Sequence, residues 1–256
     1  MKMRSVLVAL SLSALVATPA VASVPAPAAM AAVDANKILA EIDRRAGVFA
    51  DQRYEASMEI SKDGKHKKTL EFTMVMKGLE KQFITFTAPG DVAGMKVLMQ
   101  DAKTLYVYTP EFKKVRRVAA HMQNQGFLGS TFTYEDMTRV TLSPFFNAEL
   151  MGREGAETTL KLTPKEGIDS TYASIQLVID SKKGGVTKLR YYDGAGNHVR
   201  TQLREGWTKI DGELMPTKVT MTDLKSNDST VVHLRDVVVN QGVEDDVFSR
   251  RMLLRG

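Results

Sequence analysis

Regular alternation of apolar and polar residues runs through most of the chain and predicts a protein built mainly from β-strands. Every second residue is apolar in 54–61, and the same alternation returns in 70–77 after an Asp63-Gly64 turn. A period of two is typical of a strand with one buried and one exposed face, and the tight turn makes this pair a β-hairpin. Further strands are predicted at 82–87, 95–100, 106–108, 113–118, 158–163, 172–180, 187–192, 199–205, 214–223 and 230–239.

Helical periodicity is confined to short stretches. Apolar residues between 38 and 42 repeat at helical spacing, Asp34 is a suitable N-cap, and Gly47 is placed to end this first helix. A single helical turn is predicted at 135–139. A further short helix is predicted at 143–150, because its Ser-Pro start is typical of a helix N-terminus.

This inventory of elements restricts the fold class. Many one-sided strands with few helices exclude a doubly wound α/β fold, which needs a helix between successive parallel strands. Two architectures remain from the pattern alone: a β-sandwich, or a strongly curved antiparallel sheet wrapped around a helix or two. The curved sheet would leave an apolar cavity on its concave side, partly covered by the helices.

The N-terminus has the composition of a targeting segment. Basic residues at 2 and 4 precede an apolar run over 6–17, and Ala20-Val21-Ala22 offers small residues for cleavage. We therefore predict a signal peptide over 1–22, a flexible Ala- and Pro-rich tether over 23–33, and one domain over 34–256. The expected location is the periplasm, with a mature protein that is soluble. The chain has Cys 0, so we expect neither a lipid anchor on a cysteine nor disulfides.

Charge and motifs exclude several functions. Removing residues 1–22 changes the formal net charge from +5 to +3, too small an excess to indicate nucleic-acid binding. No nucleophile–base pair, phosphate-binding loop or metal motif is present, so we expect no enzyme activity and no cofactor. Glu135-Asp136 and Glu244-Asp245-Asp246 are expected to be turn and helix-start residues. A copper site is a weaker alternative for the many methionines, with Met74, Met76, Met95, Met99, His121 and Met122 as soft ligands.

One stretch, 106–137, combines a basic hairpin with an unusually apolar loop. Lys113, Lys114, Arg116 and Arg117 make one edge of the hairpin cationic. They are either solvated hairpin residues or a docking surface for anionic lipid head groups or an acidic partner. The loop that follows holds Phe127, Leu128, Phe132 and Tyr134 among glycines and hydroxyl residues. These side chains either fill the local core or form a mobile lid over an apolar cavity.

The same stretch carries a resemblance to a known family. The run YVYTPEFKKVRRV at 106–118, GFLGSTFTYEDM at 126–137 and DVVVNQGVEDDVFS at 236–249 resemble the outer-membrane lipoprotein-sorting (LolA-like) family of periplasmic proteins. The resemblance extends from about residue 70 to the C-terminus. It implies an incomplete antiparallel barrel with helices acting as a lid. Tyr106 departs from the tryptophan expected in the family.

The resemblance also implies a function. It favours a periplasmic carrier that binds the acyl chains of a lipoprotein or lipid in an apolar cavity and moves them toward the outer membrane. An inner-membrane transporter and an outer-membrane acceptor would be its partners, and we expect a monomer. The alternative is a non-shuttling accessory that senses lipid or docks on an inner-membrane export system. Unbranched methionines and aromatic residues on strand faces suit an adaptable lining; the predicted lining residues are Met58, Phe72, Met74, Met76, Met95, Met99, Tyr106 and Tyr108.

Overall fold

The computed structural model describes residues 34–119 and 125–255, and within these ranges thirteen strands form one antiparallel sheet. The strands are β1 (Asp51–Lys62), β2 (Lys65–Lys77), β3 (Lys81–Ala88), β4 (Lys96–Asp101), β5 (Thr104–Thr109), β6 (Lys114–Arg117), β7 (Phe146–Glu154), β8 (Glu157–Pro164), β9 (Ser174–Asp180), β10 (Gly185–Tyr192), β11 (His198–Ile210), β12 (Glu213–Asp223) and β13 (Asp228–Val239). The helices are α1 (Ala35–Ala46), α2 (Tyr134–Thr138) and α3 (Arg250–Leu254), with 3₁₀ turns at Phe127–Gly129 and Asp245–Phe248.

The order of strands leaves the sheet open. It runs β6-β5-β4-β3-β2-β1-β13-β12-β11-β10-β9-β8-β7, so that the first and last strands pair in the middle. The two edge strands, β6 and β7, are consecutive in the chain. Their connection must therefore pass from one edge of the sheet to the other. The prediction of a mainly β protein with few helices is confirmed, and the sheet is not closed into a barrel.

Shared pockets show that the sheet is curved. Five strand spacings separate β2 from β10, which would be roughly 24 Å in a flat sheet. Met76 of β2 and Val186 of β10 nevertheless line one pocket of about 200 Å³. The face that they share is therefore concave.

The concave face carries two clusters of buried side chains. One lies under α1, where Leu39 and Ile42 join Phe146, Leu160 and Leu177. The other lies on the opposite half of the sheet and includes Ala56, Leu70, Phe86, Met99 and Phe127. A third, smaller cluster lies on the outer face, where the C-terminal segment places Val243, Phe248 and Leu253 against Phe83 and Leu98.

Local patterns identify most elements correctly. The predicted hairpin at 54–61 and 70–77 is confirmed as β1 and β2, with Met58 opposite Leu70. The first helix is confirmed as well, because the Asp34 side chain accepts hydrogen bonds from the N–H groups of Asn36 and Lys37. The turn predicted at 135–139 is α2.

The predicted helix over 143–150 is wrong. Residues 143–145 form a turn, and the segment Phe146–Glu154 is strand β7, which pairs with β8. The apolar residues Phe146, Ala148 and Leu150 recur every second position, which presents them to the α1 cluster. This alternation and the pairing with β8 outweigh the helix-start preference of Ser143-Pro144.

Asp51 ties the start of β1 to the C-terminal segment. Its carboxylate accepts backbone hydrogen bonds from Gln241 (2.8 Å), Gly242 (2.9 Å) and Val243 (3.2 Å). Burial acts to raise the pKa of Asp51, but these three N–H donors outweigh it and hold the pKa below the ordinary value.

We predict that Asp51→Asn lowers the free energy of unfolding at pH 7 by about 1–3 kcal/mol, because the amide offers one acceptor oxygen to these donors. A lowered folded pKa gives stability that is present above the unfolded pKa and lost as pH falls. The difference between wild type and Asp51→Asn should therefore shrink between pH 5 and pH 3 in urea unfolding. Exposed Asp91→Asn is the control. A difference in the free energy of unfolding that is as large at pH 3 as at pH 7 would contradict the stabilising role of the ionised Asp51 carboxylate.

Candidate functional site

Residues 126–140, a described part of the connection between the two edge strands, lie over the concave face and are here called the cover segment. Gly126 bridges to Thr133, and the Phe127 N–H donates to the Phe132 carbonyl at 2.7 Å, which closes a tight loop. A Cβ at position 126 would lie 2.9 Å from the Ser130 carbonyl oxygen, so this loop requires glycine. Leu128 has a left-handed backbone with φ of 50°, which costs about 1–2 kcal/mol for a residue with a Cβ.

Helix α2 begins at a capping box. Thr133 and Asp136 exchange side-chain to backbone hydrogen bonds. The expectation that Glu135-Asp136 lie at a helix start is confirmed, whereas the capping role of Thr133 was not predicted. The buried Asp136 carboxylate also accepts a hydrogen bond from the Tyr172 hydroxyl at 3.1 Å and lies 3.8 Å from the Arg200 guanidinium. Burial raises the pKa of Asp136 despite these partners. The start of α2 is thereby joined to the second half of the sheet.

Polar contacts fix the cover segment at two further places. The Thr131 N–H donates to Thr230 Oγ1 at 2.9 Å, and Thr131 Oγ1 donates to the Met221 carbonyl at 3.1 Å. Glu135 accepts hydrogen bonds from Ser170 Oγ at 2.9 Å and from the Thr171 N–H at 3.0 Å. The cover segment is therefore held at the centre of the sheet and at the loop that precedes β9.

An apolar groove of about 220 Å³ lies between the sheet and the cover segment. Strands β1, β2, β3, β12 and β13 form its floor, and the cover segment forms its roof. The polar groups among its described walls are the side chains of Asp136 and Gln82 and the Tyr54 hydroxyl. The lining consists of Tyr54, Met58, Phe72, Met74, Gln82, Ile84, Phe86, Phe127, Phe132, Asp136, Met137, Val140, Val219, Val232 and Leu234.

The groove brings together several residues predicted from the sequence. Met58, Phe72 and Met74 belong to the floor, and Phe127 and Phe132 belong to the roof. The other predicted roof residues lie beside it: Leu128 packs against the same cluster, and the ring of Tyr134 meets that of Phe127 edge-on at 5.4 Å.

Three predicted methionines lie outside the groove. Met76 lines a neighbouring pocket, Met99 is fully buried, and Met95 is partly buried against the same core cluster. Met74 and Met76 both accept hydrogen bonds from the Tyr54 hydroxyl, at 2.8 and 3.5 Å. Burial raises the pKa of Tyr54 strongly.

Of the copper ligands considered from the sequence, His121 and Met122 lie outside the described residues.

Tyr106 and Tyr108 are not brought to the groove. Successive side chains of a strand point to opposite faces, so Val107 packs on the concave cluster while both tyrosines pack on the outer one. Arg250 lies over the Tyr106 ring at 5.0 Å from its centroid. The period of the strand identifies these two faces, but it does not say which of them is concave.

The predicted basic residues form an exposed surface together with the C-terminal helix. Lys113, Lys114 and Arg116 surround a shallow depression with Arg250 and Arg251. Arg117 is exposed on the same hairpin. Two apolar side chains also reach solvent here, Phe112 (56% exposed) and Leu254 (63% exposed). The helix arginines were not predicted, because they lie far from the hairpin in sequence.

An open, curved antiparallel sheet crossed by a cover segment defines a mainly β protein with a LolA-like fold. Residues 78–255 match a family model described as an uncharacterized protein, and this match spans more than half of the chain. The chain belongs to that family, and the resemblance to LolA-like proteins is confirmed. Among curated proteins none matches the sequence.

Solved structures of three bacterial proteins share this fold. A DUF1329 family protein from Desulfovibrio piger aligns with a TM-score of 0.79 at 23% identity, covering 86% of this chain and 97% of that chain. An outer membrane lipoprotein-sorting protein domain from Vibrio parahaemolyticus gives 0.79 at 20% identity, with 86% and 98% covered. A LolA superfamily protein from Nitrosomonas europaea gives a TM-score of 0.70 at 21% identity, with 86% of this chain and 100% of that chain covered.

None of the helices in the described part is long and apolar enough to cross a bilayer.

Proposed function

We propose that the protein is a periplasmic carrier that holds the acyl chains of a lipoprotein or lipid under the cover segment and moves them toward the outer membrane. The observation that carries this proposal is the apolar groove between the sheet and the cover segment. A lipoprotein-sorting domain among the solved structures of the same fold supports it. The predicted signal peptide over 1–22, which lies outside the described residues, supports the periplasmic location.

The size of the groove requires the cover segment to move. A dry apolar cavity of about 150 Å³ holds one benzene molecule, so the 220 Å³ groove accepts only part of a long acyl chain. Phe127 and Phe132 occupy the space that the rest of the chain needs. Lipid entry therefore displaces these two rings from the sheet.

The energies favour displacement by a long chain. Exposing both phenylalanine side chains costs roughly 3–6 kcal/mol, and breaking the two Thr131 hydrogen bonds costs about 2 kcal/mol more. Burying about twelve CH₂ groups contributes about 10 kcal/mol. The free energy gained by burying a long acyl chain exceeds the cost of displacing the cover segment, whereas the gain from a short acyl chain does not. Affinity should therefore rise steeply with acyl-chain length.

We predict that Val219→Trp, which fills the groove from strand β12, weakens binding of a fluorescent fatty acid more than tenfold. The indole would occupy the space that the hydrocarbon needs. Titration of purified, delipidated protein measures the effect. Val238→Trp is the matched control, because Val238 lies on neighbouring β13 and is 46% exposed. Wild-type protein that binds no fatty acid and co-purifies with no lipid would contradict the carrier function. Equal affinities of the two variants for the fatty acid would mean that its acyl chain binds outside the groove.

The exposed basic surface favours a second candidate function. The hairpin residues Lys113 to Arg117, the helix arginines 250 and 251 and the exposed side chains of Phe112 and Leu254 combine positive charge with apolar tips. Such a combination suits docking on an anionic membrane surface. In this alternative the protein is an accessory that senses lipid or docks on an export system without shuttling cargo.

A further inference from the structure

A second pocket of about 200 Å³ adjoins the groove, and we name it the Arg204 pocket. It lies between the C-terminal end of α1 and strands β11 and β12. Tyr54 belongs to the walls of both the groove and this pocket. Unlike the groove, the Arg204 pocket contains two arginines, Arg45 and Arg204, and no Asp or Glu among its described walls.

Arg204 has a charge that the described chain leaves without an ion-pair partner. Its Nε donates to Gln202 Oε1 at 3.0 Å, and no carboxylate oxygen in residues 34–119 or 125–255 lies within 4.0 Å of its guanidinium. The Asp43 carboxylate attracts Arg204 electrostatically from a distance, but its hydrogen bonds come from the backbone N–H groups of Leu142 and Ser143. Burial lowers the pKa of Arg204, as expected for a cation without a close counter-charge.

A kink in β11 turns Trp207 toward the same pocket. Residues three apart on a regular strand point to opposite faces, yet Arg204 and Trp207 both line the pocket. Gly206, between them, has a left-handed φ of 63°, and its carbonyl accepts the Thr217 hydroxyl at 2.7 Å. The Trp207 Nε1 then donates to the Arg204 carbonyl at 3.0 Å. The kink thus makes the Trp207 ring a wall of the pocket that Arg204 also lines.

Two glycines leave room around these side chains. A Cβ at Gly185 would lie 2.7 Å from the Trp207 ring, and a Cβ at Gly184 would lie 3.0 Å from Arg45 Nη1. Arg45 is at the rim, where its Nε donates to Glu41 at 2.9 Å. The pocket therefore has an arginine inside, a second at the rim and walls that are mostly apolar apart from Gln52 and Tyr54.

We propose that the Arg204 pocket binds the anionic group, a carboxylate or a phosphate, of the lipid whose hydrocarbon chain occupies the groove. This inference rests on the proposed carrier function. The anion supplies the counter-charge that Arg204 lacks, in a partly buried place where charge-assisted hydrogen bonds are strong. Because Tyr54 is a wall shared by the pocket and the groove, the head group and the hydrocarbon tail of one ligand are placed on either side of Tyr54. The protein therefore selects amphiphiles by their head group as well as by their tail.

The test compares two ligands with the same tail, dodecanoic acid and dodecan-1-ol, together with inorganic phosphate as a free anion. Trp207 is the single tryptophan of the chain, so its fluorescence reports occupancy of the pocket. Wild type is compared with Arg204→Met, with Arg204→Lys, which keeps the charge, and with Arg44→Met. Arg44 is the control, because its side chain is 67% exposed and paired with Glu41 on the same helix.

We expect wild type and Arg44→Met to bind the acid at least tenfold more tightly than the alcohol. Arg204→Met should reduce this preference to less than twofold by weakening the acid alone, and Arg204→Lys should keep part of it. Equal affinity of wild type for acid and alcohol would overturn the head-group assignment and leave the carrier function standing. Inorganic phosphate that binds through Arg204 as tightly as the acid would assign the pocket to a free anion instead. Failure of both dodecyl ligands to bind wild type would overturn the carrier function itself.

Discussion

Oxidation of a Thr131→Cys, Thr230→Cys double variant should abolish lipid uptake, and reduction should restore it. The Thr131 backbone nitrogen lies 2.9 Å from Thr230 Oγ1, so the backbone of the cover segment at residue 131 is adjacent to the Thr230 side chain of the sheet. A disulfide needs Cβ atoms about 3.5–4.5 Å apart, a spacing that neighbouring side chains reach with small shifts. With the cover segment linked covalently to β13, Phe127 and Phe132 cannot leave the groove.

The chain suits this experiment because it contains no natural cysteine that would compete for the disulfide. Thiol titration gives the cross-linked fraction, and binding of a fluorescent fatty acid gives uptake. Each single cysteine variant under the same oxidant is the control and should retain uptake. The reduced double variant should take up lipid faster than wild type, because it lacks the Thr131 Oγ1 bond to the Met221 carbonyl. Full uptake by the fully cross-linked protein would rule out movement of the cover segment as the entry step.

Reversal of the four hairpin charges, by changing Lys113, Lys114, Arg116 and Arg117 to Glu, should eliminate binding to anionic vesicles and leave fatty-acid uptake unchanged. Each basic residue near an anionic surface contributes about 1 kcal/mol, so losing four weakens vesicle binding on the order of a thousandfold. All four residues are exposed and lie away from the groove. Cosedimentation with phosphatidylserine vesicles measures docking, and fatty-acid titration measures uptake.

A matched pair of double variants separates local docking from a general charge effect. Lys113→Glu with Lys114→Glu should weaken vesicle binding roughly thirtyfold. Lys65→Glu with Lys67→Glu makes the same charge change on the exposed β2 end and should have little effect. Equal losses in the two would show that net charge, rather than this surface, governs docking. Loss of fatty-acid uptake in the hairpin variants would mean that docking and cargo binding are not separate functions.

The elements that were predicted correctly are those specified by residues close together in the chain. The alternation in β1 and β2 and the Asp34 cap of α1 act over a few residues, so a sequence pattern is sufficient to locate them. The predicted helix over 143–150 failed because a neighbouring strand decided the outcome. Phe146, Ala148 and Leu150 are compatible with either period until β8 and α1 are available to pack against them.

The candidate site was predicted only in part, for the same physical reason. The alternation in β1 and β2 places Met58, Phe72 and Met74 on one face, which is the face that forms the groove. The face of Tyr106 and Tyr108 depends on the direction in which the whole sheet curves. Arg204 carries no local signal, because the lack of a described carboxylate within 4.0 Å of its guanidinium is a result of how distant segments fold together.

The pairing of β1 with β13 at the centre of the sheet has a consequence for how the chain folds. Strands β1 to β6 and β7 to β13 each form by short hairpins, but the two meanders join only when the last strand meets the first. Contacts between such distant segments form slowly. Because synthesis starts at the N-terminus, the edge of the twelve-residue strand β1 that faces away from β2 stays unpaired until β13 is complete. During this interval the nascent protein is most prone to aggregate, and a chaperone that shields a bare strand edge would protect it.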